Sequence, residues 1–268
     1  GAGINVLAKH IGAKVIVVDM GVAEELKIKN EKLKIKKINL GTKNFAKEPA
    51  MSREEAVKSI ETGIELVEEE LSAKGGPVSG GEKGIHLIGT GDMGIGNTTS
   101  SSAITAIITG SSVEEVTGRG TGIDDEKLRN KIKIIKKALE VNKPNPRDGI
   151  DVLCKVGGFE IGGLAGVMLA GAAYRIPVVI DGFISGAAAL IACTLQPFAK
   201  EYLIAGHCSE EPGHKVILNY LELKPLLNLG MRLGEGTGAV LAMNIVEASI
   251  KILTEMATFE SAGVSKKM

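Results

Sequence analysis

The residues of this chain that could do chemistry lie in glycine-dense loops. Glu235 sits in the loop GEGTG (234–238), with Leu233 before it and Thr237 after it. An exposed glutamate in a turn is ordinarily just solvated. A carboxylate held between apolar walls instead binds its proton more tightly, which suits a general base working near neutral pH. Asp92, inside the loop GTGDMGIGNTT (89–99), is the candidate partner across a cleft. The same loop enters a helix at Asn97, Thr98 and Thr99, where backbone N–H groups and hydroxyls can hold a single phosphate. Three more polar glycine loops, TGRGTG (117–122), DGFISG (181–186) and GHCSEEPG (206–213), fall where a ligand edge is expected.

Two common nucleotide motifs are imitated and not met. Residues 89–94 spell G-x-G-x-x-G after a strand, but a dinucleotide fold also needs an acid about twenty positions on, after a second strand. Glu114 and Glu115 lie at that distance, behind a helix and Gly110-Ser111-Ser112, so an NAD-dependent oxidoreductase lacks its second anchor. Residues 91–98 imitate a P-loop with Asn97 where lysine belongs, which leaves the β- and γ-phosphate charge uncompensated. The histidines (His10, His86, His207, His214) show no metal-ligand spacing, and no G-x-S-x-G nucleophile turn is present. Lys131 lies on a lysine-rich helix, where a solvated face is the default.

The elements that must position these loops alternate. Lys14 to Asp19 reads KVIVVD, a buried parallel strand, and the lysine-rich stretch to about Ala50 reads as irregular. Ser52 and Glu55 form a capping box that opens a helix to about Ser72. A glycine-rich connection, 73–83, leads to a strand at 85–88, and the Asn97 loop then opens a helix to about Thr109. A charged helix is expected over 124–141, then a helix over 161–173, a strand over 177–180 and a helix over 184–194. A strand over 202–206, a helix over 212–221 with proline in its first turn, and a last helix over 238–256 complete the order. Strand–helix alternation predicts an α/β chain whose parallel sheet is covered by helices on both faces.

Bulk composition narrows the partners. The 268 residues carry 32 basic and 32 acidic side chains, so there is no basic excess for nucleic acid or an anionic membrane. Aromatics make up 3% and tryptophan is absent, which leaves few platforms for stacking single strands. Cys154, Cys193 and Cys208 sit in apolar or small-residue runs and read as reduced core thiols. The first ten residues lack a basic n-region and a cleavage site, and apolar stretches such as 161–174 read as buried helices. The expected compartment is the cytoplasm.

Across these loops the sequence resembles a known family, the nicotinate-nucleotide:dimethylbenzimidazole phosphoribosyltransferases. The matching stretches are GAGINVLA, VVDMGV, GTGDMGIGNTT, VTGRGTGIDDE, VGGFEIGGLAG, VVIDGFIS, AGHCSEEPGH, MRLGEGTGAVLA and MATFESAGVSKK, which run almost end to end. The resemblance implies a Rossmann-like parallel sheet with a small helical subdomain, assembled as a homodimer. Here that divides the chain into an α/β core, 12–237, and terminal helices, 1–11 with 238–268. It implies displacement of nicotinate from nicotinate mononucleotide by a ring nitrogen of 5,6-dimethylbenzimidazole, giving α-ribazole phosphate with inversion and no metal or organic cofactor.

Carried over by position, Glu235 matches the family's general base and Leu233 a residue lining the base pocket. Gly94, Gly96, Asn97 and Thr98 fall in the loop beside the nucleotide. Gly120, Thr121, Asp181, Gly182 and Ser209 fall in loops expected to hold phosphate and ribose, and Lys131 matches a lysine at the substrate site. Asp92 stands where the family usually has glutamate, a carboxylate one methylene shorter. Family members normally carry about eighty residues before the match to GAGINVLA, and these supply part of the benzimidazole pocket. The resemblance therefore leaves open a transferase acting on another lower-ligand base, or a nucleotide-binding subunit that a partner must complete.

Overall fold

The computed structural model describes residues 2–26, 33–73, 84–120 and 122–263. The glycine-rich connection expected over 73–83 lies almost entirely outside the described residues. Helix α1 (Gly3–Ile11) leads to strand β1 (Val17–Asp19), which pairs in parallel with β2 (Leu33–Ile35). The first strand thus starts three residues later than its apolar run, and the lysine-rich stretch read as irregular contains a strand. Alternating lysines hid β2: Lys34 and Lys36 send their ammonium groups to Glu69, and Lys34 also to Glu70, on the next helix.

That helix, α2 (Arg53–Ala73), starts on the expected capping box: Glu55 N–H donates to Ser52 Oγ at 3.1 Å, and Ser52 N–H to Glu55 Oε2 at 2.8 Å. Strand β3 (Ile88–Gly89) then delivers the first glycine loop to α3 (Asn97–Thr109). Two helices escaped the sequence reading, α4 (Val113–Val116) and α6 (Gly149–Val156). Each is too short to show a helical period, and their caps, Ser112 and Asp148, carry the local signal. Between them runs α5 (Asp125–Asn142), capped by Asp124.

Helix α7 (Phe159–Ala173), strand β4 (Val178–Ile180), helix α8 (Phe183–Leu195) and strand β5 (Leu203–Ala205) fall close to expectation, and a 3₁₀ turn (Pro197–Tyr202) that the sequence reading missed joins the last two. Strands β3, β4 and β5 lie side by side in that order, all parallel, with Val178 beside both Ile88 and Leu203. All three residues of β4 are buried, as a strand covered on both faces must be. The core on one side is built from α3, α7 and α8, including Ile104, Ile161, Met168 and Leu190.

The stretch 206–213, read as one loop, is mostly regular structure. His207–Ser209 is strand β6, Pro212–Tyr220 is helix α9 with proline in its first turn, and Glu210-Glu211 alone remain between them. Strand β6 pairs in parallel with β7 (Leu227–Met231), another element the sequence reading missed. Among the described residues the strands pair in parallel as expected, in three short sheets rather than one.

Helix α10 (Thr237–Glu255) closes the described chain and packs on α1. It is the one helix among the described residues long and apolar enough to cross a bilayer. Its first turns are buried against β3 and β4, and its second half carries a Glu247–Lys251 pair, as in a helix anchored in a protein core. Cys208 is buried and Cys154 and Cys193 are half-buried, all as free thiols, and burial pushes the Cys193 thiol up to about 11.

Candidate active site

The residues that follow β3, β4 and β5 meet at the start of α10: Gly91 packs on Gly236, Asp181 accepts from the Gly236 and Gly238 N–H groups, and Gly206 lies against Gly238 and Ala239. Gly234, Glu235 and Gly236 all have left-handed backbone, with φ of 76°, 62° and 84°. Glycine adopts this freely, while for glutamate it costs about 1–2 kcal/mol. A non-glycine residue kept there must be held by its surroundings, and such residues concentrate at functional sites. Two clamps are visible. The Glu235 N–H donates to the Asp92 carbonyl at 3.2 Å, and Gly91 packs directly on Gly236, where a Cβ would lie 2.4 Å from the Gly236 backbone.

The Glu235 side chain is half-buried, and its Oε2 is buried without a hydrogen-bond partner. It lies beside the first turn of α1, within 4.0 Å of where a Cβ on Gly3 would stand. An unpaired buried carboxylate oxygen is costly in a finished protein, and it is the arrangement expected of a group that waits for a proton donor.

Asp92 is half-buried beneath it, and its Oδ2 accepts from Asn97 Nδ2 at 2.6 Å. Burial, then the negative charges of Glu160 and Asp181, push its carboxyl up to about 7. Glu160, in the first turn of α7, is itself pushed up by burial, opposed in part by its own backbone amide. Two acids from other elements, Glu160 and Asp181, thus act on Asp92.

The second half of the candidate site gathers a lysine and a threonine hydroxyl. Lys131 Nζ donates to Thr98 Oγ1 at 2.9 Å and to the Gly118 carbonyl at 3.2 Å. It is no solvated lysine: burial holds it below its ordinary range, and Glu211 partly opposes that. Gly120 lies against Thr98 and Lys131. A cavity of about 690 Å³ opens beside this group, lined by Thr117, Gly118, Gly120, Glu211, Pro212 and Arg232. Asn97 and Thr98, adjacent in the first turn of α3, therefore tie the two halves together. Asn97 reaches the Asp92 carboxylate, and Thr98 reaches the lysine.

The chain matches the phosphoribosyltransferase family model over residues 1–264. It belongs to that family. It is 59% identical to the nicotinate-nucleotide–dimethylbenzimidazole phosphoribosyltransferase of Chloroflexus aggregans, covering 100% of this chain and 72% of that one. The enzyme of the same name from Desulforudis audaxviator is 58% identical, over 99% of this chain and 72% of its own length. Among solved structures, CobT from Thermus thermophilus superposes with a TM-score of 0.91 at 42% identity, covering 100% of this chain and 76% of that chain.

With this phosphoribosyltransferase fold, the candidate residues sort into distinct places. Glu235, Asp92, Asn97, Thr98, Gly120 and Lys131 converge as described. Gly94 lies under the Asn97 amide, and Gly96 caps α3. Leu233 stands at the rim, 63% exposed. Gly182 faces His207 and Ser209, and the Ser209 hydroxyl accepts from Glu211 N–H at 3.3 Å. Thr121 lies outside the described residues.

Asp181 differs from the expectation of a group pointing at substrate. It is buried, and its carboxylate accepts from the N–H groups of Gly236, Gly238 and Ala239 at 2.8–3.1 Å.

Three further residues near the candidate site of this phosphoribosyltransferase carry no site assignment from the sequence. Glu160 had a usable signal, a lone acid inside the apolar run GGFEIGG. Glu211, whose Oε2 is buried without a partner, had none beyond its polar loop. His214 is fully buried, with Nδ1 accepting from Ser209 N–H at 3.0 Å, and burial and the neighbouring His207 push it down to about 3. It is a neutral structural imidazole, and nothing in its spacing marked it.

Proposed function

We propose that this chain transfers the 5-phosphoribosyl group of nicotinate mononucleotide to 5,6-dimethylbenzimidazole, releasing nicotinate and forming α-ribazole phosphate. The observation that carries the reading is Glu235, with its left-handed backbone and a buried carboxylate oxygen that has no partner. The names of the relatives supply the substrates.

In this reading the phosphate lies against Lys131, Thr98 and the loop containing Gly120. The pyridinium nitrogen of the bound nucleotide makes nicotinate a good leaving group, so positioning and one base suffice. One benzimidazole nitrogen attacks the anomeric carbon of the ribose from the face opposite nicotinate, which inverts that centre. The bond to nicotinate breaks with its electron pair returning to the ring. Glu235 takes the proton from the other benzimidazole nitrogen and passes it to solvent. Asp92, with its carboxyl at about 7 and so partly ionised at neutral pH, supplies negative charge that favours the positive charge developing on the ribose.

A second reading has its own support. Met93 is 84% exposed and Leu233 63%, and both lie on the loops that carry the two carboxylates. Apolar rims of this kind suit a site completed by a further surface, such as a second copy of the chain in a cytoplasmic homodimer. The test is one assay, with nicotinate mononucleotide and 5,6-dimethylbenzimidazole, separating nicotinate and α-ribazole phosphate by chromatography across a range of enzyme concentrations. Equimolar products support the transferase. A specific activity that rises with protein concentration supports completion by a second copy. No product from a folded, nucleotide-binding chain sinks the reading of this chain as an enzyme active by itself.

A further inference from the structure

The Glu235 loop is held from behind by a buried pair, Asp181 and His207. Asp181 is the first residue after β4 and is 1% exposed. Its Oδ2 accepts from Gly236 N–H at 3.1 Å, and its Oδ1 accepts from Gly238 at 2.8 Å and Ala239 at 3.1 Å. His207 Nε2 lies 3.5 Å from the same Oδ1, and the Nδ1 of that ring is buried without a partner. His207 is also wedged against the loop, since a Cβ on Gly238 would stand 2.0 Å from its Cδ2.

We propose that Asp181, braced by His207, is the positioning residue that sets the direction of Glu235, rather than a group that binds substrate. A carboxylate offers about four lone-pair sites, and here three amides and an imidazole surround it. Little of it is left for a ribose hydroxyl. Its three amide donors begin at the residue after Glu235 and continue into the first turn of α10, where a negative charge also suits the helix dipole. The anion therefore fixes the left-handed turn that aims the Glu235 carboxylate. Its charge also reaches the cleft, where it helps raise the proton affinity of Asp92. This inference rests on Glu235 being the base.

The test compares Asp181→Asn with Glu235→Gln and the unmodified enzyme in steady-state kinetics over a range of pH. Asparagine presents an N–H₂ to one side of a site built from donors, so the turn must shift. Turnover is expected to fall on the order of 100-fold, because a misplacement of about 1 Å costs that much. KM for nicotinate mononucleotide should stay within about twofold, since a residue that only positions the base leaves nucleotide binding unchanged. The kcat profile should move to lower pH, because the charge that helps raise Asp92 is gone.

Wild-type turnover in folded Asp181→Asn overturns the proposal. So does a raised KM with kcat unchanged, which would make Asp181 a substrate ligand, or a lower kcat with an unmoved profile, which loosened packing alone would give. If Asp181→Asn does not fold, His207→Gln decides: a lower kcat at constant KM supports the bracing role, and an unchanged kcat removes it. Full activity in Glu235→Gln would sink the base assignment itself. An inactive Glu235→Gln beside an unaffected Asp181→Asn sinks only this inference.

Discussion

The backbone N–H of Glu235 donates to the carbonyl oxygen of Asp92 over 3.2 Å, so the two carboxylate-bearing loops are joined where they approach each other. One loop leaves β3 and the other leads into α10, about 140 positions apart in the sequence, and the bond makes them one unit. A change in either loop therefore reaches the other.

Replacing Glu235 by glutamine removes the proposed proton acceptor and little else. Turnover should fall about 10²–10⁴-fold, the usual contribution of a positioned base, while the affinity for nicotinate mononucleotide stays near that of the unmodified chain. Single-turnover kinetics alongside equilibrium binding separates the two. A variant that turns over near the normal rate would remove Glu235 from the mechanism.

The joint between the loops is open to a smaller perturbation. Gly91→Ala places a methyl group 2.4 Å from the Gly236 backbone, and no flexible side chain can yield there. The loops must part, at a cost of about 1–3 kcal/mol for overpacking. The expected result is a lower melting temperature together with a loss of kcat, although residue 91 has no side chain to offer a substrate. Loss of stability with full kcat would show that the two loops act independently.

Asp92 gives a stability signature in pH. Its carboxyl goes from an ordinary value of 3.8 to about 7 in the fold, so the folded chain keeps a proton that the unfolded chain releases. The stability this group contributes is complete below about 3.8 and is lost as pH rises to about 7. Asp92→Asn cannot ionise and can still accept from Asn97. Its melting temperature relative to the unmodified chain should climb between those two pH values and then level off. A constant difference across that window would mean that Asp92 is not perturbed.

Lys131 is assigned to phosphate because it is half-buried and bonded to Thr98 and Gly118 rather than solvated. Loss of a charged hydrogen bond costs about 1.5–3 kcal/mol, so Lys131→Met should raise KM for nicotinate mononucleotide about 10–100-fold. The same variant should treat nicotinate riboside, which has no phosphate, much as the unmodified enzyme does. An equal loss for both substrates would place Lys131 away from the phosphate.

What the sequence determined by itself was local. The Ser52–Glu55 capping box, the glycine-terminated helix α3, the apolar runs of β4 and α8, and the oddity of a glutamate between glycines are all encoded within a few residues. Such features depend on backbone sterics and short-range hydrogen bonds, which act before the chain has a shape. Long spacing decided the rest. Strand β2 owes its place to its pairing with β1, with Lys34 and Lys36 reaching Glu69 and Glu70 on α2, and β6 and β7 owe theirs to each other, so none of the three shows a clear period. Glu160 entered the site only because α7 starts beside the Asp92 loop. Asp181 read as a substrate-facing acid because its neighbours in sequence are loop residues, whereas its neighbours in space are the amides of α10. A buried carboxylate is satisfied by whichever donors the fold brings to it, and here those donors lie 55 to 58 positions away.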